Sequence, residues 1–223
     1  MDLGKICKTV SKDLSFVVIG NFNPCIMSQD WLFNKDLIND LQYKSLQEDK
    51  FIIHRDITQL AFDDFSLKVT PIRFEVSTSC ESNFQNLFTI LNGIFSSLKE
   101  TPVSQIGLNY TKRIQFLKIG DWHSFGDFIA PKKYWNKTIA NPGLMSMHIK
   151  EQPVDDSNGF RNLYLGISDA GNRVLKISVN NHYMFDEDAK ADKLIEYLGI
   201  KSPSTVSDSE SIIQEVIENV FAK

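Results

Sequence analysis

Phe65-Ser-Leu-Lys-Val-Thr-Pro-Ile-Arg-Phe-Glu-Val-Ser77 decides the fold class. Phe65, Leu67 and Val69, then Ile72, Phe74 and Val76, put apolar side chains on one face of two short strands. Ser66, Lys68, Arg73, Glu75 and Ser77 take the other face, and Thr70-Pro71 breaks the run between them. Successive side chains of a strand point to opposite sides, so this alternation describes a sheet with one buried and one polar face. A sheet that is apolar on one side only is the signature of antiparallel pairing with helices packed against that side.

Working outward, 51–56 and 58–62 read as two further short strands, with Asp63-Asp64 as the turn into the quoted stretch. The run 14–20 is a buried strand that ends at Gly20 before Asn-Phe-Asn-Pro. Residues 28–41 have helical spacing in Trp31, Leu32, Leu37, Ile38 and Leu41, with Ser28 as N-cap. Downstream, Phe84, Leu87, Phe88, Leu91, Ile94, Phe95 and Leu98 form an unbroken helical stripe that belongs in a core. Ser82 and Gln85 before it have the spacing of a capping box.

Residues 104–118 predict a long strand. Ile106, Leu108, Tyr110, Ile114 and Phe116 share its apolar face, Asn109, Thr111, Arg113 and Gln115 its polar face. Lys112 is the exception on the apolar side, and needs a bulge, a path to solvent or a charged partner. The segment 119–142 reads as a short helix, a turn and a loop. Strands over 144–150, 161–167 and 173–179 follow, joined at 155–159 and 169–172 as a β-meander. Two helices close the chain: one capped by Asp186 and ended at Gly199, then, after the Ser/Pro-rich link 202–209, a last helix bearing Ile212, Ile213, Val216, Ile217, Val220 and Phe221, with Ser207 and Glu210 at capping-box spacing.

The expected fold is therefore α+β, with antiparallel meanders packed against helices. The 223 residues, 42% hydrophobic with sixteen Phe, fit one α+β domain spanning the whole chain. A meander followed by a helix occurs at 58–98 and again at 144–198, which admits two similar halves, 14–118 and 143–223, without a residue-level repeat.

Composition excludes several classes. Apolar runs such as Phe16 to Ile19 fall far short of the ~20 residues that span a bilayer. No apolar leader opens the sequence, so a cytoplasmic protein without membrane association is expected. Cys7, Cys25 and Cys80 are isolated thiols in no CxxC pair. A net charge of −4 argues against generic adhesion to nucleic acid. The charge is uneven, however: 105–138 has six cations against two carboxylates, and 184–223 has nine carboxylates against four lysines.

Chemical motifs are sparse. His54-Arg55-Asp56 matches the opening of a kinase catalytic loop, but the Asn required five residues later is Ala61, and no glycine-rich loop precedes it. Phosphate-loop, dinucleotide, nucleophile-elbow and zinc-protease signatures are absent, and no two of His54, His123, His148 and His182 lie within four residues. No metal or cofactor is expected, and Asp186-Glu-Asp188 serves a helix N-terminus. An acid–base site remains conceivable only if His54 and Asp56 converge with His148 across the sheet, which would make a hydrolase or nuclease.

The basic–aromatic segment is the better candidate. Lys112, Arg113, Lys118, Lys132 and Lys133 supply charge, and Trp122, Tyr134 and Trp135 supply stacking or anchoring area. Those residue types suit single-stranded nucleic acid, and they are equally enriched in protein interfaces. A third reading has the aromatics plugging the end of the sheet. The acidic total favours a protein partner or self-association over nucleic acid as the ligand.

Pro71-Ile-Arg-Phe-Glu-Val, the Phe-rich helix 84–98, Gln105-Ile-Gly-Leu-Asn-Tyr-Thr-Lys-Arg-Ile114, Met145-Ser-Met-His-Ile and the polar closing helix together resemble a sporadically distributed, uncharacterised family of bacterial proteins. The likeness spans 65–223. Its marker strand has the form Gly-Leu-x-Tyr-x-x-Arg-Ile, and where the family tends to carry Arg and Asn this chain has Asn109 and Lys112. The resemblance transfers no activity. The family's patchy distribution implies accessory genes, such as defence or mobile-element functions.

Overall fold

A computed structural model describes residues 3–46, 50–151 and 158–222. Among the described residues it has fourteen principal elements. These are β1 (Cys7–Gly20), α1 (Gln29–Asn34), α2 (Asp40–Ser45), β2 (Phe51–His54), β3 (Ile57–Ala61), β4 (Ser66–Thr70), β5 (Arg73–Thr78), α3 (Phe84–Ser97), β6 (Val103–Phe116), α4 (Ile119–Ile129), β7 (Ser146–Glu151), β8 (Gly159–Asp169), β9 (Val174–Met184) and α5 (Ala191–Phe221). All nine strands join one sheet in the order β2-β3-β4-β5-β1-β6-β9-β8-β7. Every neighbouring pair is antiparallel. The fold is α+β.

The two longest strands, β1 and β6, pair side by side in the middle, joining the hairpins of the first half to the meander of the second. On β1, Leu14, Phe16 and Val18 are fully buried, and on β6 Ile106, Leu108, Tyr110, Ile114 and Phe116 nearly so. Helix α3 lays its stripe across them: Phe88 meets Phe16 edge-on at 4.7 Å, and Phe95 meets Phe74 at 5.1 Å. Edge-to-face pairs of this kind add roughly 1 kcal/mol beyond the area they bury. The alternation in β4 and β5 gives the buried face expected of it, with Leu67, Val69, Phe74 and Val76 sealed. Ile72 departs from that expectation: it sits in the turn before β5 and is 70% exposed.

Three local expectations are corrected. The helix predicted over 28–41 is two short helices. Ser28 caps the first as expected, accepting from the Trp31 N–H, but Asp36 adopts φ 56° and ends it. Asn39 and Gln42 then open α2 with their own capping box. The Ser82–Gln85 box does not form, because a single 3-10 turn, Glu81–Asn83, leads into α3 and Ser82 Oγ contacts Cys80 Sγ. Finally, the two closing helices are one. Lys190, not Asp186, stands at the N-cap of α5, and the backbone stays helical past Gly199. Leu194, Leu198, Thr205, Ser209, Ile213 and Ile217 are all buried. Their intervals of four and seven keep one side of a helix in phase with the sheet across the polar link. Ser207 accordingly donates to the Ser204 carbonyl, and Glu210 points elsewhere.

The β7–β8–β9 meander is present, with β8 and β9 longer than predicted; of the turn expected at 155–159, residues 155–157 lie outside the described residues. Among the described residues no helix is long and apolar enough to cross a membrane.

Candidate interaction surfaces

The candidate residues divide between the two faces of the sheet. Lys112 points toward the helices, 13% exposed, and there it finds its partner: its ammonium is paired with Glu210 of α5, which also accepts from the Tyr110 hydroxyl. Lys12 joins at 3.8 Å and reaches Glu81 at 2.7 Å. Burial raises the Glu210 carboxyl, but the hydrogen bonds from Lys112 and Tyr110 and the charges of Lys112 and Lys12 outweigh it and hold the group below its ordinary value. Burial, then Glu210, pushes the Tyr110 hydroxyl well up. The acidic tail and the basic middle thus meet inside the molecule. Arg113, one residue on, faces the opposite side, where it pairs with Asp13 and donates to Ser11 Oγ at 3.1 Å.

Helix α4 leaves the end of β6 and folds back over it. Phe116 gathers Trp122 at 5.7 Å, Phe125 at 5.4 Å and Phe221 at 6.3 Å. Trp122 therefore belongs to an aromatic plug at the end of the sheet. Tyr134 and Trp135, on the turn after α4, do not: they are 68% and 49% exposed. Phe128, Ile139 and Met145 are exposed with them. Trp135, Ile139, Pro142, Leu144 and Met145 wall a cavity of about 380 Å³. Pro142 and Leu144 also close a second cavity of about 300 Å³, whose floor is Trp122, Phe125, Ile167 and Leu175. Lys132 pairs with Asp127 at 3.0 Å, and Lys133 lies over the Tyr134 ring at 4.9 Å. Together these residues make an apolar ledge with a lysine rim.

His54 ends β2, and Asp56 lies in the turn beyond, with Nδ1 and Oδ2 3.6 Å apart and both side chains in solvent. His148 is on β7. Since β2 and β7 are the two outermost strands, the topology keeps His148 away from the pair. Among the described residues no group of three or more His, Cys, Asp or Glu is placed to hold a metal ion. Cys7 is buried, and burial raises its thiol, whereas Cys25 and Cys80 are exposed.

The second surface extends the polar face of β6 further than sequence reasoning took it. Cross-strand register carries that face onto β9, β8 and β7. Thr111 and Ser178 hydroxyls lie 2.8 Å apart, and the Asn180 amide donates to Asn109 Oδ1. Tyr164 has His148 edge-on at 4.7 Å, and Lys176 lies 5.7 Å from its ring centre. Phe160 is stacked on His182 at 4.5 Å, under Lys150 at 4.1 Å. Burial, helped by the Lys150 charge, lowers the His182 imidazole. The signal for these residues was present in the period-two runs Phe160, Asn162, Tyr164, Gly166 and Lys176, Ser178, Asn180, His182, whose polar phase faces away from the helices.

Fold and surfaces together define an α+β protein with a single helix-covered sheet, one apolar ledge and one open polar face. Neither a scan against protein-family models nor a search of curated proteins gives a match to this chain.

Proposed function

We propose that this protein is a non-catalytic interaction component that docks a protein partner in the cytoplasm through the ledge of Tyr134, Trp135, Ile139 and Met145. The observation that supports the reading is the half-exposed Trp135 walling an apolar cavity of about 380 Å³ beside Ile139 and Met145. Side chains of this kind around a concavity are what interfaces use as anchors, and a central Trp or Tyr commonly carries 2 kcal/mol or more. Lys132 and Lys133 stand on the turn that carries Tyr134, and Lys137 lies between Trp135 and Ile139 in the chain, so the partner that fits presents apolar side chains within an acidic rim. The lysine rim disfavours two copies meeting ledge to ledge, since like charges would face each other. The resemblance to a patchily distributed bacterial family agrees with a place in a multi-component accessory or defence system.

The test is purification of the complex from the natural host, comparing the wild type with Trp135→Ala. A discrete protein complex that persists in high salt and is lost in the variant supports the reading. A complex that survives Trp135→Ala contradicts it.

A further inference from the structure

The face of the sheet turned away from the helices has a regularity that packing does not require. Register aligns Ser15, Asn109, Asn180, Asn162 and Lys150 in one row across β1, β6, β9, β8 and β7. The adjacent row is Asp13, Thr111, Ser178, Tyr164 and His148. A shallow cavity of about 480 Å³ lies over both rows. Three amides and the hydroxyls of Ser15, Thr111 and Ser178 on neighbouring strands offer paired donors and acceptors at one sheet spacing, the hydrogen-bonding complement of planar heterocycle edges.

Tyr164 supplies the platform. A Cβ at Gly166 would collide with the Tyr164 hydroxyl, so the ring lies along the sheet over the glycine rather than standing upright from it. Gly107 leaves a similar gap beside the Asn180 amide and His182, where a Cβ would come within 3.1 Å of Asn180 Nδ2.

Charge points the same way. Lys8, Lys68, Arg73, Arg113, Lys150 and Lys176 register on this face. Its carboxylates are Asp13 and Glu75, with Asp169 at the β8–β9 turn. Six cations against three carboxylates give this face +3 in a chain of net −4. Asp13 and Glu75 are spent on Arg113 and Arg73. Among the described residues, no ion pair ties Lys150 or Lys176 to a carboxylate, and both sit beside aromatic rings.

We propose that this open face binds single-stranded nucleic acid, with a base stacked on Tyr164, base edges read by Asn109, Asn162 and Asn180, and phosphates held by Lys150 and Lys176. An unpaired strand presents π-faces, base edges and phosphates together, whereas a duplex hides its bases from a flat sheet. A protein partner is disfavoured here because the rows are mostly amides and hydroxyls, with Tyr164 and His148 as their rings and no aliphatic anchor, the opposite of the ledge. The site is separate from that ledge and does not depend on it.

The experiment is fluorescence anisotropy on the full chain with labelled 20-nucleotide single strands of DNA and RNA and the corresponding duplex. Binding to a single strand in preference to duplex is expected, with either sugar. Tyr164→Ala should weaken it at least about fivefold, the loss of one stacked base. The double variant Lys150→Gln with Lys176→Gln lies at the surface and does not touch the packing of the core. It should reduce the slope of log K against log salt by about 1.4, since each lost contact to a single strand removes roughly 0.7. Absence of binding at 50 mM salt overturns the proposal. So does binding that both variants retain in full, or that is lost only in Lys132→Glu with Lys133→Glu.

Discussion

Lys112 shows how one misplaced charge organises a helix. It interrupts the apolar phase of β6, and a charge in that position is tolerable only with a partner and additional hydrogen bonds. Glu210 provides both, one oxygen to Lys112 and the other to Tyr110. Removing one member leaves the other uncompensated, so Glu210→Leu should cost about 2–4 kcal/mol in urea unfolding. The double variant Lys112→Met with Glu210→Leu should recover most of it. The pH dependence has a definite sign. The carboxyl is held below its ordinary value of 4.5, so its contribution is complete above 4.5 and is lost as pH falls through the lower folded-state value. Thermal unfolding followed by circular dichroism should show the wild type losing more Tm between pH 7 and pH 3 than Glu210→Gln does. Gly166 gives a second prediction at this scale. In Gly166→Ala the new methyl meets the far end of a flexible side chain, so Tm should change little while the Tyr164 ring is displaced. Oligonucleotide affinity measured by anisotropy should then fall with stability intact.

Among the elements, α5 and the strands differ in how far the sequence discloses them. Strand alternation was legible because the side chains of 65–77, Ile72 apart, and of 104–116 declare their face locally. The antiparallel sheet follows from that alternation, and the core helix 84–97 from its own helical stripe. Helix ends were less legible, since capping depends on where the chain comes from. Ser82 has the right spacing, but the 3-10 turn before α3 takes its place. The joining of two predicted helices into α5 depends on Leu198 and Thr205 being two turns apart and both buried, a tertiary condition with no local mark. That condition is testable. Ile213→Ala empties a fully buried position and should cost about 2–4 kcal/mol. Glu215→Ala, on the outer side, should cost under about 0.5 kcal/mol in the same urea titration. Of the candidate binding residues, Tyr134, Trp135, Lys132 and Lys133 share one surface. Lys112 and Arg113, adjacent in sequence, are on opposite faces, as period two requires. The amide rows escaped sequence reading because register, not composition, brings Asn109, Asn162 and Asn180 together.

For the molecule as a whole, the two halves of the chain share one sheet, and each side of it has its own character. The helix side carries the core and, at one end, the ledge around Trp135. The other side is polar, cationic and flat. The two proposed sites lie on opposite sides of that sheet, so variants at Trp135 and at Tyr164 should act independently. Native mass spectrometry of the wild type, Trp135→Ala and Tyr164→Ala, each purified gently from the natural host, tests the central claim that the ledge docks a protein. The account predicts a discrete protein complex in the wild type and in Tyr164→Ala, and its loss in Trp135→Ala. Monomer in all three, or a complex that persists when Trp135 is gone, would contradict it.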